Sequence, residues 1–178
     1  MEQNNWLECI SNQTQVVQIL ETNQYTEKFG LVLNSEDAKL LAEERTAALK
    51  KEQRVEFGQS ILPKIIYTFC DSAFITQSNY CDTLLRLQEI FYFYKNEMMD
   101  EITDDELLEF MKEQFENVCY GDLGYLEGTC LDIFAQAIRA GYSGYVASEG
   151  RNEFEKFDIT PRWDKGLYLA ALRELCWE

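Results

Sequence analysis

Apolar residues recur along this chain at spacings of three and four, the period of a helix that buries one side, while runs of strict alternation are scarce. The first such stretch extends from about Asn12 to the region of Tyr25, with Val16, Val17, Ile19 and Leu20 as its apolar side. Phe29, Gly30 and Leu31 break it. Asn34, Ser35, Glu36 and Asp37 then supply a cap and early acids for a second helix, whose Ala38, Leu41 and Leu49 form a narrow stripe beneath a Lys/Glu-rich face. Gly58 and Ser60 mark a third start, where Pro63 is tolerated because first-turn amides have no intrahelical partner to lose. From Ile61 to Cys70 the chain is apolar nearly all round, the pattern of a central helix, so Ile65, Ile66, Tyr67, Phe69 and Cys70 are expected in the core.

The longest helix is predicted from about Asn79 to Met99, with Tyr80, Leu84, Leu87, Phe91, Tyr94 and Met98 on one face. Thr103, Asp104, Asp105 and Glu106 read as a capping box, the threonine accepting from the third amide while the glutamate reaches back. The helix that follows, to about Val118, buries Leu107, Leu108, Phe110, Met111 and Phe115. Tyr120, Gly121 and Asp122 turn the chain into another helix ending near Arg139, in which Gly124 and Gly128 suggest close packing. Gly141 to Asp158 reads as a loop with a short helix. Thr160 and Pro161 read as the cap and first residue of a terminal helix carrying Leu167, Leu169, Leu172, Leu175 and Trp177.

These elements predict an all-α fold, a compact single-domain bundle of about six to seven helices. Residues 1–140 form the main helical domain, and residues 141–178 add a loop and a C-terminal helix on the same core. The length of 178 residues, with 46% hydrophobic and 13% aromatic content, is enough to bury a sizeable core without disulfides or structural metal. The N-terminus lacks the progression of a secretory or transit signal and no apolar run reaches membrane-spanning length, which points to a cytoplasmic protein.

Charge and composition mainly remove possibilities. A formal charge of -16, from 32 acidic against 16 basic residues, repels phosphate and disfavours nucleic acid and anionic membranes as partners. The chain has no histidine, which removes Ser-His and Cys-His nucleophile pairs and histidine-ligated metals. Cys9, Cys70, Cys81, Cys119, Cys130 and Cys176 include no Cys-x-x-Cys pair and read as dispersed, buried thiols. Cys70, beside Asp71 and Ser72, has no histidine base to activate it and reads as a core thiol. Gly141, Gly144 and Gly150 lack the spacing of a phosphate loop. No cofactor and no metal are expected.

Three features could carry function. Eleven acids lie between Glu97 and Glu127 against one lysine, Lys112, and Glu109, Glu113 and Glu116 fall on the outward side of their helix. Such a block suits a basic partner or a divalent cation, or is simply a solvated face with acids favoured at the helix start. Arg54, Val55, Glu56, Phe57 and Gly58 place a charged pair in a connection between helices, where a partner could bind, or where Arg54 caps the preceding helix and pairs with Glu56. Phe91, Tyr92, Phe93 and Tyr94 circle the long helix, which points Phe93 toward Arg86 and Glu89 and away from the core.

At Arg54 to Gly58, Phe69 to Ser72, Ile90 to Glu97 and Asp104 to Leu107, the sequence resembles domain-of-unknown-function family 6323, an uncharacterised family of bacterial (Firmicutes) proteins. The resemblance runs from about Asn23 to Arg139. It implies a bacterial cytoplasmic protein and brings no catalytic residues. Together these readings favour a non-enzymatic protein-interaction module or complex subunit, with Arg54, Glu56, Arg86, Glu89, Phe93, Glu109, Glu113 and Glu116 as its candidate surface and a protein partner or self-association expected. A carboxylate-dependent hydrolase or lyase using Mg²⁺ would need acids converging in a pocket. A nucleic-acid-mimicking inhibitor would need them spaced along a convex face.

Overall fold

The computed structural model describes the backbone of residues 2–57, 59–146 and 158–161, and the side chains of residues 10–57 and 59–141. The fold is an all-α bundle, and a two-stranded ribbon is the one departure among the described residues. The chain groups into two compact units, Met1–Tyr92 and Phe93–Glu178, and the division falls within one long helix.

In the first unit, α1 (Glu2–Glu21) begins ten residues before the expected start. It buries Gln15 and Ile19, and Thr22 just beyond its end continues the buried face at spacings of four and three. Val17, expected on that face, is 56% exposed, because it stands two residues, about 200° around the helix, from both buried Gln15 and buried Ile19. A short α2 (Asn23–Thr26) and a 3-10 turn (Glu27–Phe29) follow, and Gly30 at φ 76 reverses the chain.

Residues 31–33 are held without a neighbouring strand. Asn23 donates to the Leu33 carbonyl (2.8 Å) and accepts from its amide (2.9 Å). Gln77 does the same for Val32, at 2.8 Å in both directions. Two side-chain amides thus replace the ladder bonds of a sheet on the consecutive residues Val32 and Leu33, and Leu31 and Leu33 turn into the core.

Asn34 caps α3 (Ser35–Lys51), accepting from the amides of Glu36 and Asp37, while the Asp37 carboxylate accepts from the Asn34 amide. The buried stripe is Ala38, Leu41, Ala42, Arg45 and Ala48, and its alanines let α3 lie against α1. Thr46 adds a hydrogen bond to Asn12 at 2.9 Å. Ser60 caps α4 (Ile61–Phe69), whose Ile65, Ile66 and Phe69 are buried, as is Cys70 just beyond. Tyr67 departs from its expected core position at 48% exposed. Even a nearly all-apolar helix has one side turned outward, and tyrosine with its hydroxyl occupies it. α5 (Tyr80–Glu97) buries every residue expected of its main face, and Met98 beyond it is buried too.

In the second unit, Met99 (φ 52) and Asp100 (φ 56) take consecutive left-handed conformations after α5. Without glycine, such a turn costs energy and needs outside support. The buried Lys95 supplies it, donating to the Ile102 carbonyl and pairing with Asp104 at 2.9 Å. The Thr103 and Glu106 capping box then opens α6 (Asp104–Asn117), and all five expected residues of its inner face are buried.

Tyr120 (φ 48) and Gly121 (φ 86) turn the chain toward α7 (Leu123–Tyr125), capped by Asp122. A π turn (Leu126–Leu131) joins α7 to α8 (Asp132–Arg139). Phe134 of α8 stacks on Phe110 of α6 with ring centroids 3.8 Å apart. Gly128 was expected to mark close packing, yet a Cβ there would meet nothing within 4 Å; it sits in the wide π turn instead.

Where a loop with a short helix was expected, β1 (Tyr142–Val146) pairs antiparallel with β2 (Asp158–Pro161), with Tyr142 opposite Pro161 and Ser143 opposite Thr160. Thr160 and Pro161 therefore belong to a strand rather than a helix start. Proline is compatible with a ribbon because an edge position can do without its amide. The expected terminal helix, with Leu167, Leu169, Leu172, Leu175 and Trp177, lies outside the described residues.

Asn23→Ala removes both hydrogen bonds to Leu33, part-buried, and is expected to lower stability by about 1–3 kcal/mol in urea unfolding. Gln77→Ala, on the exposed side, is expected to cost less.

Candidate functional site

The connection between α3 and α4 is built around one carboxylate. Glu56 Oε2 accepts from Arg45 Nε at 2.7 Å and Nη2 at 2.5 Å, a two-pronged charge-assisted contact. Its Oε1 accepts from the Ile61 amide at 3.1 Å and from the Tyr92 hydroxyl. Arg45 comes from α3, Ile61 is the first residue of α4 and Tyr92 comes from α5, so one side chain ties three helices. The Glu56 side chain is only 16% exposed, and Arg45 and Tyr92 are buried.

The electrostatics fit a clamp. Burial pushes the Tyr92 hydroxyl well above the ordinary tyrosine range, and the Glu56 charge and hydrogen bond push it further, against a smaller opposing pull from Arg45. Tyr92 is thus a fixed donor. Both oxygens of Glu56 are engaged by donors, which suits holding a loop better than moving a proton.

The same geometry dictates what the loop displays. With Glu56 drawn inward, its neighbours turn outward: Val55 is 71% exposed and Phe57 is 91% exposed. A second apolar feature lies in the same unit. Tyr25 stands edge-on to Phe29 (5.8 Å) and to Tyr67 (5.4 Å), Lys28 sits 3.7 Å over the Tyr25 ring, and all three rings are exposed.

The remaining residues expected at an interaction surface are distributed. Arg54 is half-buried next to the clamp, and its amide donates to the Leu49 carbonyl at the end of α3. Arg86 and Glu89 pair with each other at 2.9 Å on α5. Phe93, four positions after Glu89, is exposed and lies edge-on to Tyr94 at 5.0 Å. Of the encircling aromatics, Phe91, Tyr92 and Tyr94 are buried. On α6, Glu109 is exposed, Glu113 is half-buried and Glu116 pairs with Lys112 at 2.7 Å.

Much of the acidic block has internal work. Glu97 binds Arg139 at 2.6 Å, Asp104 binds Lys95, Glu106 completes a capping box and Asp122 caps α7. Among the described residues, no group of three or more Cys, Asp or Glu side chains could hold a metal ion, and no helix is long and apolar enough to cross a membrane.

Sequence reasoning missed Arg45 and Tyr92. A signal existed: Arg45 falls in register with Ala38, Leu41, Ala42 and Ala48, and a charge on a buried stripe requires a partner. It also missed the Tyr25, Phe29 and Tyr67 cluster, which joins residues about forty positions apart.

A family model described as a family of unknown function (DUF6323) matches residues 18–144, which takes in the last turn of α1, every element from α2 to α8 and the first three residues of β1. No curated protein and no solved structure matches the chain.

Removing the clamp's carboxylate by Glu56→Ala leaves Arg45 buried and unpaired, so a loss of about 3–5 kcal/mol is expected in chemical denaturation. Tyr92 makes a separate, pH-dependent contribution. Its folded pKa lies above the unfolded value, so its stabilisation is complete below about pH 10 and falls by roughly 1.4 kcal/mol per pH unit above it. Tyr80 and Tyr94, each pushed up to about 12 mainly by burial, act in the same direction. Unfolding measured between pH 9 and 12 is expected to show this decline, and Tyr92→Phe is expected to make it shallower.

Proposed function

We propose that this chain, which belongs to the DUF6323 family of unknown function, acts as a protein-interaction module or complex subunit in the bacterial cytoplasm. The observation that supports this most is Phe57, 91% exposed beside the exposed Val55, in a loop anchored by the buried Arg45, Glu56 and Tyr92 network. An aromatic side chain in water is an unusual use of apolar surface. Held by a rigid base, it can fill a partner's pocket with little further loss of loop freedom. Arg54 flanks it, and Glu56 acts from below as the support rather than as a contact.

The exposed Phe93 with Arg86 and Glu89 on α5, and Glu109, Glu113 and Glu116 on α6, are secondary contact surfaces in this reading. A partner with basic residues suits the net charge of -16, and nucleic acid and membrane do not. No cofactor takes part, and the role is not enzymatic.

The test is affinity capture with the intact protein and with a Val55→Ser, Phe57→Ser variant, compared by quantitative mass spectrometry and by thermal midpoint. The variant is expected to keep its midpoint and to lose at least tenfold of a stoichiometric partner. Equal recovery by both proteins would rule out this loop, and an absence of any stoichiometric partner would rule out the module.

A further inference from the structure

Cys119 and Cys130 are eleven positions apart in sequence, yet their sulfurs lie 3.7 Å from each other and both residues are buried. Neither is part of a disulfide. A disulfide requires sulfurs about 2.0 Å apart, so the two must approach by roughly 1.7 Å. Their surroundings allow that. Cys119 lies beyond the last residue of α6, just before the left-handed pair Tyr120 and Gly121. Cys130 lies in the π turn, outside the regular α-helical ladder of α8, which starts at Asp132. Neither sulfur has to break an α-helical repeat to reach the other.

We propose that Cys119 and Cys130 form a dithiol site that a hydroperoxide oxidises to an intramolecular disulfide, tying the end of α6 to the π turn. The thiolate of one cysteine attacks a peroxide oxygen; an S–O bond forms, the O–O bond breaks and hydroxide leaves, giving a sulfenic acid. The second thiolate then attacks that sulfur; the S–S bond forms, the S–O bond breaks and a second hydroxide leaves. The two thiol protons neutralise the two hydroxides. Overall, two thiols are oxidised and one hydrogen peroxide is reduced to two waters.

Burial suits a small oxidant better than a bulky disulfide such as oxidised glutathione. It also raises the Cys119 thiol, against a lowering from the Cys130 hydrogen bond and with a further rise from Asp122, so Cys119 rests protonated and reacts slowly. The other thiols whose side chains are described are placed differently. Cys70 donates to the Tyr67 carbonyl at 3.5 Å, and Cys81 is pushed up to about 11 by burial and the nearby Asp37 and Asp82.

The test treats the full folded chain with hydrogen peroxide, alkylates it and digests it with trypsin, which places both cysteines in residues 113–139. That peptide is expected two hydrogens lighter, unalkylated and restored by dithiothreitol. Cleavage after Glu127 should leave its two parts joined. The oxidised protein should melt about 5–10 °C higher, as expected for a loop of this size. Cys130→Ser should halt the reaction at Cys119 and abolish the shift. Full alkylation of both cysteines in the treated folded protein, linkage of either to another cysteine, or an oxidised form that melts no higher would each overturn the proposal.

Discussion

The carboxylate of Glu56 is the point on which the first unit's architecture turns. Arg45 is a guanidinium on the buried stripe of α3, and an unpaired charge there would be prohibitively costly. Glu56 answers that charge, and in doing so fixes the path of the α3–α4 connection. Its second oxygen takes the first amide of α4, which has no partner within the helix, and the Tyr92 hydroxyl of α5. Buried ion pairs add little when compared with apolar packing. Their value is in permitting only one arrangement, and here the arrangement leaves Val55 and Phe57 in solvent.

The same economy recurs wherever the backbone leaves regular structure. Asn23 and Gln77 satisfy a short extended segment that has no strand beside it, and Lys95 carries a left-handed turn that contains no glycine. Tyr94 donates to the Glu127 carbonyl in the π turn, and Arg139 reaches the Glu97 carbonyl at the end of α5. Each of these side chains is long enough to reach a backbone group that would otherwise be stranded. Much of the polar content that looks like surface charge in one dimension is fastening in three.

This bears on the acidic stretch from Glu97 to Glu127. Several of its carboxylates are ligands of the protein's own amides and cations, and those that remain outward, such as Glu109, are spread along a helix rather than gathered. Apolar exposure at the clamped loop and the aromatic cluster is the more distinctive property of the surface, because water opposes it and some other group must benefit from it.

Local patterns in the sequence determined the helices, their capping boxes at Asn34 and Thr103, the buried faces of α5 and α6 and the family resemblance. These depend on spacing and on contacts three or four residues away, which a sequence displays directly. Tertiary structure alone decided that Glu56 meets Arg45 and Tyr92, that Tyr67 joins Tyr25 at the surface and that Cys119 meets Cys130. It also decided that residues near Gly141 and Thr160 pair as strands. Such contacts depend on where separately stable elements come to rest, and a residue's own neighbours in the chain carry little record of that.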